Sequence, residues 1–140
     1  MSLSVLIVED DPDGAATVDM MLRAAGIQTH VVDSAEAALA VLEKGEHFDG
    51  AVVDLALPVM DGFELMTTLR KQPAHHDLPL VAMTAYHTPE LKFKALDSGF
   101  NAYFAKPLDT NRFAQALQRI LLSPLGQTCR LPYSLFSSLC

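Results

Sequence analysis

The sequence predicts an α/β fold in which a parallel β-sheet is covered by helices on both faces. Short apolar runs alternate with amphipathic segments five times along the chain, which is typical of βα units. At 140 residues, half of them hydrophobic, the chain has room for one core and too little left for a second domain. Four of the apolar runs end in a polar or charged side chain.

The first strand is predicted over residues 4–8 and the first helix over about 13–25. Pro12 lies near the start of that helix and Gly26 at its end, as helix punctuation requires. The second strand, 28–32, is rich in β-branched residues, which suit a pleated surface.

The second helix is expected to begin after Asp33, which pairs with Glu36 in the spacing of a capping box. It should run to about Lys44, and Gly45 supplies the stop. The third strand, 50–54, follows and ends in an aspartate.

The loop after the third strand contains strong turn signals at Pro58 and at residues 61–62. The third helix is predicted over 63–71. The polar segment 72–79 has two prolines and is therefore a connection, after which the fourth strand spans 80–83.

The fourth helix is predicted to start near Thr88 and to stop at Gly99. The fifth strand spans 102–105. The fifth helix is capped by Asp109 and carries a clean amphipathic face up to Leu122.

Charge is unevenly distributed along the chain. Residues 1–64 hold 13 of the 17 acidic residues and only two basic ones, whereas residues 65–140 hold eight basic residues. The net charge of −7 argues against direct binding of nucleic acid.

The segment 123–140 contains two prolines and one charge, and no sustained period, so no fold is assigned to it. A linker, a docking arm and a remnant of recombinant expression all fit. Both cysteines, Cys129 and Cys140, lie in this tail, so no disulfide framework organises the fold. With neither a signal peptide nor an apolar run long enough to span a membrane, the chain is expected to be cytoplasmic.

Polar groups at the strand ends form a candidate site. Glu9 and Asp10 follow the first strand, Asp54 ends the third, Thr84 follows the fourth and Lys106 follows the fifth. Ligands bind at the carboxyl ends of strands in open parallel sheets, so these groups are expected to share one crevice. Three of these residues also have a plainer interpretation when taken alone. Asp54 or Thr84 could be a turn cap, and Lys106 could be a solvent-facing cation.

Converging carboxylates favour a divalent cation, because without one they repel each other. An all-oxygen ligand set favours Mg²⁺ or Mn²⁺ over Zn²⁺. Asp11 and Asp13 are better explained as a solvated acidic turn before the first helix.

The sequence resembles the receiver domain of response regulators, including the chemotaxis response regulator. The resemblance covers residues 3–122 and rests on four motifs, at 8–11, 54–62, 83–85 and 106–107. It implies a flavodoxin-like, doubly wound (βα)5 sandwich with parallel sheet order 2-1-3-4-5.

The resemblance implies that Asp54 accepts a phosphoryl group from a phosphohistidine. Asp10 and Asp54 would bind Mg²⁺ through their side chains, Glu9 through water, and Ala56 through its backbone carbonyl; Mn²⁺ can substitute. Lys106 would neutralise charge on the phosphoryl oxygens.

The resemblance also implies a switch in which the Thr84 hydroxyl binds the new phosphoryl group and Tyr103 turns inward. This would repack the output surface of helix 4, strand 5 and helix 5. A half-buried Tyr103 with its hydroxyl in water is the plainer alternative. Ala85, Tyr86 and Pro107 would flank the site. A separate hypothesis, from the size of the Tyr86 ring, is that this ring shields the phosphoryl group from water and slows self-dephosphorylation.

The implied partners are a sensor histidine kinase or a histidine phosphotransfer protein, together with an unknown downstream effector. A homodimer through helix 4, strand 5 and helix 5 is possible. Such a module is not an enzyme in its own right. The alternatives are a phosphorylation-independent pseudo-receiver, a receiver from a hybrid kinase or a DNA-binding regulator, and an aspartate-based phosphatase, which would need an aspartate where this chain has Ala56.

Overall fold

A computed structural model describes residues 2–122 of the chain. Five strands alternate with five helices along this part of the sequence. The strands are β1 Ser4–Val8, β2 Gln28–Val32, β3 Gly50–Asp54, β4 Leu80–Thr84 and β5 Ala102–Ala105. The helices are α1 Pro12–Ala24, α2 Ala35–Glu43, α3 Gly62–Arg70, α4 Pro89–Ser98 and α5 Thr110–Leu122. The predicted tail 123–140, with Cys129 and Cys140, lies outside the described residues.

The strands form one parallel sheet in the order β2-β1-β3-β4-β5. This confirms the predicted flavodoxin-like α/β fold. Within the sheet Asp54 is opposite Met83, and Thr84 is opposite Ala105. The carboxyl ends of β3, β4 and β5 are therefore aligned along one edge of the sheet.

Each face of the sheet carries its own core, because successive side chains of a strand point to opposite faces. Leu6, Val8 and Val53 pack with residues of α2, α3 and α4 on one face. Val5 and Val52 pack with residues of α1 and α5 on the other. Strands β3 and β4 are buried along their whole length, as expected for a sheet covered on both sides.

The N-cap of α2 differs from the predicted one. Ser34, rather than Asp33, caps the helix: its backbone is extended and its hydroxyl accepts a hydrogen bond from the Ala37 N–H at 3.0 Å. A capping box is present instead at α3, where Asp61 and Glu64 each accept from the other's backbone N–H.

Several other boundaries shift by one residue, including both ends of α1 and of α3. Helix α1 starts at Pro12 because the Asp11 carboxylate accepts from the Gly14 N–H at 2.9 Å, so Asp11 is a cap and not merely a solvated acid. Strand β4 extends to Thr84, which brings the hydroxyl into the last strand position. Within residues 2–122 no helix is long and apolar enough to cross a membrane.

Candidate functional site at the carboxyl edge of the sheet

Backbone hydrogen bonds fix the strand ends that carry the predicted site. The Glu9 N–H donates to the Val32 carbonyl at 3.1 Å, which extends the β1–β2 pairing to Glu9. The Lys106 N–H donates to the Thr84 carbonyl at 2.8 Å, which does the same for β5 and β4. The side chains therefore start from ordered backbone and not from loose loops.

Three carboxylates converge at this edge. Ligand oxygens of Glu9, Asp10 and Asp54 all lie within 4.8 Å of one another. Glu9 and Asp54 are buried, with 2% and 6% of their surfaces exposed, whereas Asp10 is exposed. The cluster therefore has a protein-covered side and a side open to solvent at Asp10.

Lys106 bridges two members of this cluster. Its ammonium group donates to Asp54 Oδ2 at 2.8 Å and also to Glu9 Oε1. The contact with Glu9 is not predicted from the sequence. The additional contact to Glu9 means that one cation offsets charge from both β1 and β3.

Burial and pairing act in opposite directions on these groups. Burial lowers the pKa of Lys106, but hydrogen bonds and attraction from Asp54 and Glu9 outweigh it, and the net effect is a raised pKa. Burial raises the pKa of Glu9; Lys106 opposes this, while the neighbouring Asp54 adds to it. The site thus favours a charged lysine and resists a full set of ionised carboxylates.

The second oxygen of Asp54 is also held. Asp54 Oδ1 accepts from the Ala56 N–H at 2.9 Å, in an Asx-type turn that starts the loop after β3. The same loop is tied back where the Gly62 N–H donates to the Leu55 carbonyl at 3.1 Å. A Cβ at position 62 would lie 2.7 Å from the Asp54 carbonyl oxygen, so only glycine allows this close approach.

The cluster fits a hard divalent cation. All three side chains offer oxygen, and the set mixes buried and exposed carboxylates. Mg²⁺ and Mn²⁺ are the ions whose ligand preferences match, through one or two carboxylates and retained water.

Thr84 ends β4, the strand beside β3, and Tyr103 lies on β5, the next strand of the sheet. Both residues are buried. Thr84 is 1% exposed and its hydroxyl oxygen accepts from the Tyr86 N–H at 3.0 Å. Tyr103 is 6% exposed, and its hydroxyl lies 2.9 Å from Nδ1 of His87. The alternative of a half-buried Tyr103 is therefore wrong: the residue is buried, and its hydroxyl contacts His87.

His87 is a contact that the sequence did not reveal. It is exposed and lies in the loop between β4 and α4, and its ring is 5.5 Å from that of Tyr103. Nothing in the local pattern distinguishes it from the other loop histidines. Of the predicted flanking residues, Ala85 and Pro107 are exposed and Tyr86 is 72% exposed.

Comparison with known proteins agrees with this geometry. Residues 5–118 match the family model of the response regulator receiver domain. An uncharacterized 14.6 kDa protein in the sodA1 3' region of Leptolyngbya boryana is 39% identical over 121 residues, spanning 86% of this chain and 92% of that protein. The heme response regulator HssR of Staphylococcus aureus is 34% identical over 116 residues, covering 83% of this chain but 50% of HssR.

Solved structures give the same result. A putative response regulator from Chloroflexus aurantiacus superposes with a TM-score of 0.83 at 30% identity, covering 88% of this chain and 100% of that one. The receiver domain of a Pseudomonas aeruginosa sensor histidine kinase, solved with a magnesium ion in its active-site cleft, has a TM-score of 0.79 at 29% identity, with 88% and 100% covered.

The five-stranded parallel sheet and its acidic edge define a flavodoxin-like receiver domain. The chain belongs to the response regulator receiver domain family, whose members act in two-component signalling. Receiver domains pair with histidine kinases or phosphotransfer proteins and bind Mg²⁺ at an acidic pocket.

Proposed function

We propose that residues 3–122 form a phosphoacceptor domain in which Asp54 receives a phosphoryl group from a phosphohistidine on a sensor kinase or phosphotransfer protein. The observation that carries this proposal is the setting of the Asp54 carboxylate. It lies among Glu9 and Asp10 with the Lys106 ammonium 2.8 Å away. Such a group can act as a nucleophile while its surroundings absorb the charge of a phosphate.

In the proposed transfer an oxygen of Asp54 attacks phosphorus as the bond from phosphorus to the donor imidazole nitrogen breaks. The electron pair of that bond returns to the imidazole, and an acyl phosphate forms on Asp54. The Ala56 N–H holds Oδ1 at 2.9 Å and Lys106 holds Oδ2, so the carboxylate is oriented before the donor arrives. Transfer of this kind depends on positioning and on charge stabilisation more than on covalent help.

Asp10 and Asp54 would hold Mg²⁺ or Mn²⁺ directly, Glu9 would hold it through water, and Ala56 would add its backbone carbonyl. When bound, the ion supplies positive charge to the phosphoryl oxygens. Lys106 contributes a second, fixed charge from β5. After transfer its ammonium is placed to exchange a carboxylate oxygen for a phosphoryl oxygen, since both are anionic acceptors.

The proposed output is a change on the surface formed by α4, β5 and α5. Thr84 would bind the phosphoryl group with its hydroxyl, and Tyr103 would occupy the buried position on β5. A phosphoryl group adds about two negative charges. That is enough to bias a loop with two arrangements, so the downstream effector, or a second copy of the chain, would meet a changed face.

The test is phosphorylation of the whole chain by acetyl phosphate with Mg²⁺, followed by intact mass. We expect a mass gain of one phosphoryl group for the natural sequence, no gain for Asp54→Asn, and an unchanged gain for Asp97→Asn, an exposed acid on α4. A natural chain that neither forms the adduct nor hydrolyses phosphate esters would instead be a phosphorylation-independent binding module.

Two other results also contradict the proposal. An adduct that persists in Asp54→Asn would place the acceptor elsewhere. Continuous hydrolysis of simple phosphate esters, with no stable adduct, would indicate a phosphatase instead of a signalling domain.

A further inference from the structure

A short path of contacts connects the site to Tyr103 through the loop after β4. The Thr84 hydroxyl accepts from the Tyr86 N–H at 3.0 Å, and the next residue, His87, places Nδ1 2.9 Å from the Tyr103 hydroxyl. A residue at the phosphoacceptor edge and an aromatic residue on β5 are thus joined across three consecutive loop positions.

We propose that His87 is a positioning residue of the switch and holds Tyr103 in its buried position before any phosphoryl group is bound. The inference rests on the proposed function, because it concerns the same switch. It goes beyond that function in assigning part of the coupling to a loop side chain. The consequence is a receiver in which Tyr103 is already held in its buried position in the unphosphorylated chain.

The geometry supports a specific hydrogen bond in addition to ring packing. The two rings are 5.5 Å apart and tilted by 54°, so the imidazole approaches the phenol with its nitrogen and does not stack on it. A phenol both donates and accepts, and an imidazole nitrogen can take either role. The contact is therefore available in each tautomer of His87.

Burial makes this contact consequential. Tyr103 is 6% exposed, and its hydroxyl contact with His87 is partly shielded from water. His87, in contrast, is exposed and could point its ring into solvent at little cost. A hydrogen bond between this exposed side chain and the hydroxyl of a buried residue connects the loop to β5.

The energetic logic is that of a population shift. If phosphorylation needs Tyr103 buried, then a contact that populates the buried position in the free protein raises the apparent affinity for a phosphoryl mimic. Removing a single hydrogen bond of this kind should weaken that affinity by about three- to tenfold. The effect should disappear in a chain that already lacks the Tyr103 hydroxyl.

The experiment is a titration of the full chain with beryllofluoride at saturating Mg²⁺, followed by fluorine NMR. The variants are His87→Ala, Tyr103→Phe, their combination, and His87→Asn, whose amide can reach the position of Nδ1. His47→Ala is the matched control, because His47 is an exposed loop histidine that lies before β3, at the opposite edge of the sheet. Urea unfolding of each variant shows whether the fold is intact.

We expect His87→Ala and Tyr103→Phe to weaken binding to a similar extent, the combination to add nothing, and His87→Asn to recover most of the loss. As a second readout, the imidazole nitrogen NMR signals of His87 should shift on Tyr103→Phe. A merely structural role for His87 would alter unfolding without this non-additivity.

Failure of the inference can be told apart from failure of the proposed function. If the natural chain binds no beryllofluoride and forms no acyl phosphate, the proposed function is wrong. If the natural chain binds the mimic but His87→Ala binds it as tightly as His47→Ala, or more tightly, the switch is not positioned by His87. Additive losses in the combined variant would also overturn the inference.

Discussion

Lys106 contacts carboxylates from two strands that do not adjoin β5. It follows β5, yet its ammonium binds Asp54 at the end of β3 and Glu9 after β1. Adjacent strands are about 4.8 Å apart, so only a long side chain spans this distance. A shorter or more rigid cation at this position could not contact both carboxylates, and the residue type follows from the distance as much as from the charge.

The raised pKa of Glu9 predicts a pH dependence of stability in the metal-free chain. In the folded chain the pKa of the Glu9 carboxyl lies above its usual value of 4.5. Above pH 4.5 the folded chain therefore retains a proton that the unfolded chain releases. The free energy of unfolding should therefore fall as the pH rises from 4.5 through the folded pKa. In Glu9→Gln this fall should be reduced.

Urea unfolding in the presence of EDTA, repeated across this pH range, measures the effect. Glu43→Gln is the control, because Glu43 is exposed at the end of α2. It should keep the pH dependence of the natural chain. Equal slopes for Glu9→Gln and the natural chain would show that Glu9 is not the titrating group.

Tyr86 gives a prediction about the lifetime of the acyl phosphate. Tyr86 is 72% exposed, while its backbone N–H is bound to the Thr84 hydroxyl, so the backbone is held beside the site and the side chain can turn to cover it. Tyr86→Ala should shorten the lifetime several-fold, since water then reaches phosphorus more easily, whereas Tyr86→Phe should not. Decay of the phosphorylated mass after removal of acetyl phosphate is the measurement, and equal decay in both variants would exclude shielding by the ring.

At the scale of elements, Arg70 links the end of α3 to two connections. Its guanidinium donates to the carbonyls of Gly99 and Leu78, at distances of 2.7 to 3.2 Å, and to Asn101 Oδ1 at 2.9 Å. Asn101 Oδ1 also accepts from the Leu80 N–H. The starts of β4 and β5 are therefore aligned by one side chain at the edge of the sheet opposite the acidic cluster.

Arg70→Ala should cost about 2–4 kcal/mol in the free energy of unfolding, because partly buried carbonyl oxygens lose a charged donor. Arg23→Ala is the matched control. Arg23 is 70% exposed with an ion pair at 3.7 Å, which is worth about 1 kcal/mol or less. Urea unfolding of both variants decides it: similar losses would mean that Arg70 is only a surface cation.

Local sequence determined the helix and strand pattern closely, but some partners depend on tertiary structure. Asp33 and Ser34 both carry side chains that can cap α2, and the choice of Ser34 follows from the path of the chain out of β2. Pairing of Lys106 with Glu9 depends on the strand order, and the contact of His87 with Tyr103 depends on the course of a loop. Neither is encoded in a spacing along the chain.

At the scale of the whole molecule, the acidic edge predicts stabilisation by Mg²⁺. An ion that binds only the folded chain raises its stability in proportion to the logarithm of ion concentration. Saturating Mg²⁺ or Mn²⁺ should therefore raise the melting temperature of the natural chain, and EDTA should reverse the change.

Asp10→Asn should lose most of this rise, and Asp13→Asn should keep it. Both residues are exposed acids near the start of α1, but only Asp10 belongs to the carboxylate cluster. Differential scanning calorimetry with and without the ion checks the prediction. An equal rise in both variants would move the cation to another part of the surface.

The hydrogen bond from the Lys106 N–H to the Thr84 carbonyl makes the site depend on strand register. Neighbouring residues of a strand face opposite sides of the sheet. A register shift of one residue therefore moves every side chain of the strand to the other face. A point substitution at the edge weakens one group and leaves the others in place. Deletion of a single residue within β5 would instead turn the lysine to the other face of the sheet. The length of β5 is therefore more tightly constrained than the identity of side chains on the surface.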